Sequence, residues 1–341
     1  MKEKALFCIC VMTFNRGGKA LNLALALADQ LDEQVQLLFM DNGSLRETES
    51  YQQLKMLSEQ QPHIHYYRHE FNCGFNHNYL SCFRQANAVY MMMLSDEDFA
   101  NVEMIRDVLP LLQQYPSVGV MRGSLATVEG AESRNSFDYA DASYMAGEEA
   151  MIGFYMENNY FSGTIYHRDL LNEKGLIDML ANRIDDYGVA IYPHMYLDLI
   201  AAAVSDVVTT SKIAVFEGHE QALRNNAPDS YIQPYSFGSR IDQFIIMRNC
   251  LEDAVGLMGE PFDVALFATM YLKLCEKYLF LVSYVNADMY QSHQVHPGLL
   301  NHAMYLLCCS AINEYPELAD YHSSIMDELT RLKEKYDVYS C

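Results

Sequence analysis

The chain has 341 residues, 50% of them hydrophobic, a globular composition that excludes disorder and gives length for roughly two domains. Forty-five acids against 23 Lys and Arg leave a formal net charge of −22, which excludes a broad nucleic-acid-binding face and simple adhesion to anionic lipid, since both need clustered cations. An acidic protein that handles phosphates needs a metal ion to offset its own field.

The first hundred residues alternate strand-like and helix-like stretches. "ALFCICVMT" (5–13) is an apolar run that leads into "TFNR" instead of a small-residue cleavage site, so it reads as a first strand and not as a leader. "GGKALNLALALADQL" (17–31) is a helix, apolar over a wide arc. "VQLLFMDNG" (35–43) is a second strand, followed by a polar helix near 46–60. "HIHYYRHE" (63–70) is a third strand, "FNHNYLSCFRQANA" (75–88) a third helix, and "VYMMMLS" (89–95) a fourth strand. Nearly continuous apolar strands separated by helices predict a parallel sheet covered on both faces.

Further on, "VGVMRGSLA" (118–126) reads as a strand and 126–160, rich in Tyr, Ser and acids, as a loop. "YFSGTIYHRDLL" (160–171) follows, then a helix over 192–204 beginning at Pro193 and a strand over 207–218. The remainder is helical, near 239–258, 262–285, 298–313 and 316–336. The organisation expected is residues 1–235 as one domain, with halves 1–100 and 101–235, and residues 236–341 as a helical region that could carry homo-oligomer contacts. Nine cysteines, an odd number without CxxC spacing, predict a reducing compartment and no disulfide framework. No run of about 18 apolar residues predicts a membrane span.

An open parallel sheet binds its ligands at the carboxyl ends of its strands. Those ends read "TFNR", "DNGS", "EFNCG" and "SDED", bringing Thr13, Asn15, Arg16, Asp41, Asn42, Asn72 and the triplet Asp96, Glu97, Asp98 to one edge. Three adjacent carboxylates at the mouth of a buried strand repel one another. Either a solvated turn starts there, with Asp98 capping a helix from near Asn101, or a cation sits among them.

Taken together these segments resemble the inverting family-two glycosyltransferases of the GT-A fold, a Rossmann-like, mostly parallel sheet flanked by helices. "VMTFNR", with Phe14, resembles that family's first nucleotide-binding turn. "FMDNGS" is similar to its second-strand ending, where an Asp contacts the base, and "NCGFNHN" matches its Asn72, Gly74, Asn78 segment. "MLSDED" resembles its metal motif. The resemblance implies Mn2+ or Mg2+ bound directly by Asp98, with Asp96 at the ribose or the metal's water shell and Glu97 pointing elsewhere. It also places Ser162 and Gly163 of "FSGTIYHRDLL" beside the donor sugar, although Gly163 also suits a tight turn for backbone reasons.

The family's general base is an Asp, often within Glu-Asp at a helix start. Here that place reads Tyr192-Pro193-His194, similar to the abequosyltransferase-like bacterial branch, and imidazole chemistry suits a base near neutral pH. Asp185 and Asp186 precede it. Asp198, four residues beyond His194, shares its helix face and either orients the imidazole or is the base itself.

The resemblance implies transfer of a sugar from a nucleoside-diphosphate donor, UDP being the usual base, to a glycan or lipid-linked acceptor. The setting expected is bacterial surface polysaccharide synthesis, on the cytoplasmic side and peripheral to the membrane. The missing Glu-Asp pair motivates a rival reading, a non-catalytic sugar-nucleotide or glycan-binding subunit. The absence of a glycine-rich loop after the first strand disfavours a pyrophosphorylase.

Overall fold

The computed structural model describes residues 4–129, 132–157, 160–218, 236–259, 261–285 and 297–336. Strands β1 (Ala5–Thr13), β2 (Val35–Asp41), β3 (Ile64–Arg68) and β4 (Ala88–Ser95) alternate with helices α1 (Gly17–Leu27), α2 (Thr48–Gln60) and α3 (Gly74–Gln85). They pair in parallel in the order β3-β2-β1-β4. β1 is buried along nearly its whole length, because its two faces feed two separate cores. Phe7, Ile9 and Val11 pack with Leu23 of α1 and Leu54 of α2. Cys8, Cys10 and Met12 pack on the other side with Tyr79 and Phe83 of α3. A strand with two apolar neighbours has no solvated face, which is why its sequence does not alternate.

The second half runs β5 (Phe99–Ala100), α4 (Val102–Gln114), β6 (Val118–Glu129), β7 (Glu132–Phe137), β8 (Ala142–Tyr144), α5 (Glu148–Phe154), β9 (Thr164–Tyr166), α6 (Arg168–Glu173), α7 (Leu176–Arg183), α8 (Tyr187–Ile191), α9 (Pro193–Val204) and β10 (Asp206–Glu217). The sheet continues through β9, β6, β10 and β5, and here it is mixed: β9 runs antiparallel to both β4 and β6. The stretch 126–160, expected as loop, instead extends β6, returns as β7 in an antiparallel pair, and supplies β8 and α5. β7 reads ESRNSF and has no apolar alternation to betray it, since it pairs only with β6 at the margin of the sheet.

Helices α10 (Phe237–Leu257), α11 (Val264–Phe280), α12 (Pro297–Ala311) and α13 (His322–Tyr336) complete the chain, with a π-helical turn at Leu281–Val285. Every residue of α9 from Pro193 to Ala203 is buried. It contacts α5, α7, α8, α10 and β6, so a helix apolar on most of its surface, with His194 and Asp198 as buried polar exceptions, is at home there. One core cluster therefore runs from Cys8 and Met93 in the sheet through Leu197 to Phe244, Leu274 and Leu329 in the C-terminal helices. The boundary expected near residue 235 lies outside the described residues.

Candidate active site

Strand register sets the site. Thr13 pairs with Asp41, Asp41 with Arg68, and Met12 with Ser95, so β1 to β4 end level and release their turns along one edge. Behind β1, Thr13 Oγ1 lies 2.7 Å from the Tyr51 hydroxyl, which also accepts from the Arg16 amide at 3.0 Å. Asn15 takes the left-handed region, φ 56°, a conformation asparagine tolerates better than most residues. Its Oδ1 accepts from the amides of Leu45 and Arg46 at 2.8 and 3.0 Å, lacing the first turn to the second.

The second turn is equally fixed. Gly43 sits at φ 70° with Phe71 so close that a Cβ would meet its carbonyl carbon at 2.4 Å, so only glycine fits. Asn42 donates to Asn72 Oδ1 at 2.9 Å and to the Gly74 carbonyl at 3.1 Å, while its Oδ1 accepts from the Cys73 amide at 2.9 Å. Asn72 Oδ1 also accepts from the Gly74 amide at 2.9 Å. Asn42, Asn72 and Gly74 thus form one polar knot before α3. Asp41 departs from expectation in its accessibility. It is fully buried, accepting from the Ser44 amide at 2.9 Å and the Tyr66 hydroxyl at 2.6 Å, with Arg68 Nε 3.4 Å away. Its carboxylate braces the turn from beneath instead of presenting itself to a base.

These turns open on a cleft of about 570 Å³. It is lined by Thr13, Phe14, Asn42, Asn72, Gly74 and Asn78 from the strand-end turns and α3, together with Phe161, Tyr192 and His194. Asn78 donates to the Met40 carbonyl at 3.2 Å, and its buried Oδ1 has no hydrogen-bond partner among the described residues. His194 sits in the first turn of α9 among aromatic rings, with centroids of Tyr192, Phe161 and Tyr79 at 6.0, 6.1 and 6.5 Å. Phe75, Phe161 and Tyr192 line the cleft without having been given a role from sequence. Their signal was adjacency to the quoted motifs, diluted among 25 tyrosines and 16 phenylalanines.

The acid turn lies next to this cleft, joined to it through Tyr160 and Phe161, whose rings are 6.2 Å apart. Helix α4 is capped by Asn101, whose side chain accepts from the Met104 amide, so Asp98 is not its cap. Asp98 is fully buried and accepts from the Tyr160 hydroxyl at 2.7 Å and the Gly218 amide at 3.1 Å. Burial raises its pKa, with Ser162, Tyr160 and the Gly218 amide working the other way. Asp96 is 2% exposed, and neither carboxylate oxygen has a hydrogen-bond partner among the described residues. Its neighbour is Arg16, whose Nη2 stands 2.7 Å from Oδ1 as an ion pair without hydrogen-bond alignment. Burial pushes Asp96 up to about 6, and Arg16 opposes that rise. Glu97, expected to point elsewhere, reaches the same guanidinium, 2.9 Å from Nη1, because residues 96–97 form a turn and not an extended strand.

The raised Asp96 pKa has a measurable cost. The unfolded carboxyl loses its proton near 3.8 and the folded one near 6, so the native state holds more protons across that window and loses stability as pH rises through it. Above it the full penalty is about 3 kcal/mol. In chelator-treated protein, Asp96→Asn is therefore expected to unfold at higher temperature than wild type at pH 7.5, with the difference vanishing towards pH 4. Equal melting temperatures at both pH values would contradict this.

Behind the acid turn, the Ser95 amide donates to Ser162 Oγ at 2.9 Å. Gly163 sits at φ 86°, where a Cβ would meet Val215 at 2.9 Å, so its backbone reason is real. Two expected catalytic acids lie elsewhere. Asp198 is buried and bound to Arg122 Nη2 at 2.5 Å and the Tyr166 hydroxyl at 2.8 Å. Burial raises its pKa and Arg122 opposes the rise. It faces the sheet, where an arginine from β6 needs a counter-ion, and does not line the cleft. Asp186 pairs with Arg183 Nη1 at 3.2 Å and is also absent from the cleft wall. Asp185 meets His77 at 2.8 Å on the surface. The lone Arg122 within "VGVMRGSLA" was the sequence signal for a buried acid partner.

Among the described residues no group of three or more His, Cys, Asp or Glu could by itself hold a metal ion. Asp96 and Asp98 come from one turn and are the hard oxygen donors a divalent ion would take there; in this structure Arg16 is the positive charge against Asp96, and both Asp98 oxygens accept hydrogen bonds.

The family model for glycosyl transferase family 2 matches residues 8–189, a span that includes the strand-end turns, the acid turn and the segment beyond it. No curated protein matches the chain. Among solved structures, S. aureus TarS 1-349 in complex with UDP-GlcNAc aligns with TM-score 0.59 at 14% identity, covering 97% of this chain and 91% of that one. The mannosyltransferase PcManGT from Pyrobaculum calidifontis, in complex with GDP-Man and Mn2+, aligns with TM-score 0.50 at 11% identity, covering 99% and 88%. At such identities these likenesses speak for the fold, and the family model speaks for the family. With its GT-A architecture and its match over more than half its length, the chain belongs to glycosyl transferase family 2.

Proposed function

We propose that the chain moves a sugar from a nucleoside-diphosphate donor to a hydroxyl of a glycan or lipid-linked acceptor, with inversion at the anomeric carbon. The observation that carries this reading is the cleft, which brings residues of the strand-end turns and His194 into one lining, beside the acid turn. The nucleotide lies along Thr13, Phe14, Asn15, Asn42, Asn72, Gly74 and Asn78, with Asp41 bracing the turn beneath it. Ser162 and Gly163 form the floor under the sugar. Asp96 and Asp98 would hold Mn2+ or Mg2+. Such an ion, when bound, neutralises the charge that grows on the departing diphosphate. The titles of the similar structures name UDP-GlcNAc, GDP-Man and Mn2+, which supports a nucleotide-sugar donor and a divalent ion. UDP is the donor base expected here.

His194 takes the proton of the acceptor hydroxyl. Its place in the first turn of α9, walled by Tyr79, Phe161 and Tyr192, keeps the imidazole fixed and shields it from bulk water. The acceptor enters across Tyr192 and Phe161. No helix among the described residues is long and apolar enough to cross a membrane, and any contact with a lipid-linked acceptor is peripheral. A role in bacterial surface polysaccharide synthesis, on the cytoplasmic side, fits such an acceptor. Residues 1–235 carry both substrate halves, and 236–341 brace α9 and offer the surface for homo-oligomer contacts.

The test is donor consumption with Mn2+ and a panel of glycan acceptors. Wild type is expected to transfer, and Asp98→Ala to fall by about 100-fold. Nucleotide binding without transfer to any acceptor would favour a non-catalytic binding subunit.

A further inference from the structure

Arg16 touches both of the acids nearest the strand mouth. Its Nη2 stands 2.7 Å from Asp96 Oδ1 and its Nη1 2.9 Å from Glu97 Oε2. Lys19 stands 3.6 Å from Glu97 Oε2. The guanidinium is 31% exposed on its side chain, whereas Asp96 is closed off at 0%, so the arginine stands on the solvent side of the carboxylate. Its contact with Asp96 is a charge contact without hydrogen-bond alignment, which is weaker and easier to break than a bidentate pair. Its own backbone is pinned, with the amide donating to Tyr51 at 3.0 Å and Gly17 packed against Glu47 and Tyr51. Only the side chain is left to move.

We infer that Arg16 is a built-in counter-ion that occupies the cation position of Asp96 in the empty site and exchanges it for the diphosphate when the donor arrives. A guanidinium and a doubly positive ion cannot share one carboxylate oxygen, because their repulsion at a few ångströms in a partly buried site is large. A divalent ion taken at Asp96 Oδ1 would have to displace Arg16, and an anionic diphosphate would give the displaced guanidinium somewhere to go. Metal and nucleotide then favour each other through one side chain, in addition to any direct contact between them. The inference rests on the donor-site reading above.

Manganese binding is measured without turnover, from the free Mn2+ signal in electron paramagnetic resonance, with and without UDP. Arg16→Gln is expected to bind Mn2+ alone about tenfold tighter than wild type and to gain less from added UDP. Lys19→Gln removes the same net charge without touching Asp96, and serves as the control for long-range electrostatics. Arg16→Gln binding Mn2+ no tighter than Lys19→Gln would overturn the inference while leaving the donor site standing. Wild type binding no Mn2+ even with UDP present would overturn both. As a measurement independent of any variant, crystals of wild type with Mn2+ and UDP are expected to show Arg16 Nη2 withdrawn from Asp96. A guanidinium still in ion-pair contact there would count against the exchange.

Discussion

Asp198→Ala is expected to cost about 3–5 kcal/mol of folding stability, because it strands a buried arginine without its counter-ion. The pair is closed to solvent on both sides, with side-chain exposures of 5% for Arg122 and 6% for Asp198. Arg122 is further engaged with the Tyr160 carbonyl at 3.2 Å and stands over the Phe154 ring at 5.6 Å. Burial works to lower the Arg122 pKa, but Asp198 together with Tyr139 and Tyr166 more than offsets it and the result is a rise. The guanidinium therefore stays charged at any accessible pH, and losing its partner leaves that charge uncompensated. Urea denaturation reads the effect directly. An apolar pair such as Arg122→Met with Asp198→Leu is expected to recover much of the loss, since buried ion pairs contribute little over well-packed apolar groups. If Asp198→Ala instead folded with wild-type stability and failed only in transfer, Asp198 would return as the base.

His194→Gln is expected to behave in the opposite way. Glutamine keeps a polar side chain of similar volume on the cleft wall but cannot take up a proton, so transfer falls by about 10²–10⁴-fold. Nucleotide affinity should stay close to wild type, since the proposed donor contacts are made by Thr13, Asn42, Asn72 and Asn78 and not by the imidazole. A variant whose turnover stays within tenfold of wild type would move the base to another residue. The two substitutions are four residues apart on one helix, so together they separate the carboxylate paired with Arg122 from the imidazole that lines the cleft.

How much of this was legible in the sequence differs by kind of contact. β1 to β4 announced themselves because two-sided burial makes a strand continuously apolar, as in the run from Phe7 to Met12. The carboxyl-edge site followed, since parallel topology alone brings "TFNR", "DNGS" and "SDED" to one edge. The polar strand β7 did not show, because its sequence ESRNSF carries no apolar alternation. Nor did the partners of individual side chains. Asp198 and His194 share a helix face in any helical reading, yet Asp198 is claimed by Arg122 from a strand 76 positions away. Asp41 was placed correctly at the end of β2 but turned inward by Tyr66 and Arg68, one strand further on. Glu97 was read as lying on an extended segment, and the turn swung it to Arg16. In each case local pattern fixed position, and tertiary contacts fixed direction.

The most direct measurement is a calorimetric titration of UDP into the protein, once with Mn2+ and once with chelator, repeated with Asp96→Asn and Asp98→Asn combined. An acid turn that grips a divalent ion, and through it the diphosphate, requires wild type to bind UDP at least about tenfold tighter with Mn2+ than without, and requires that gain to vanish in the double variant. UDP binding that is equally strong with and without Mn2+ in wild type would contradict it.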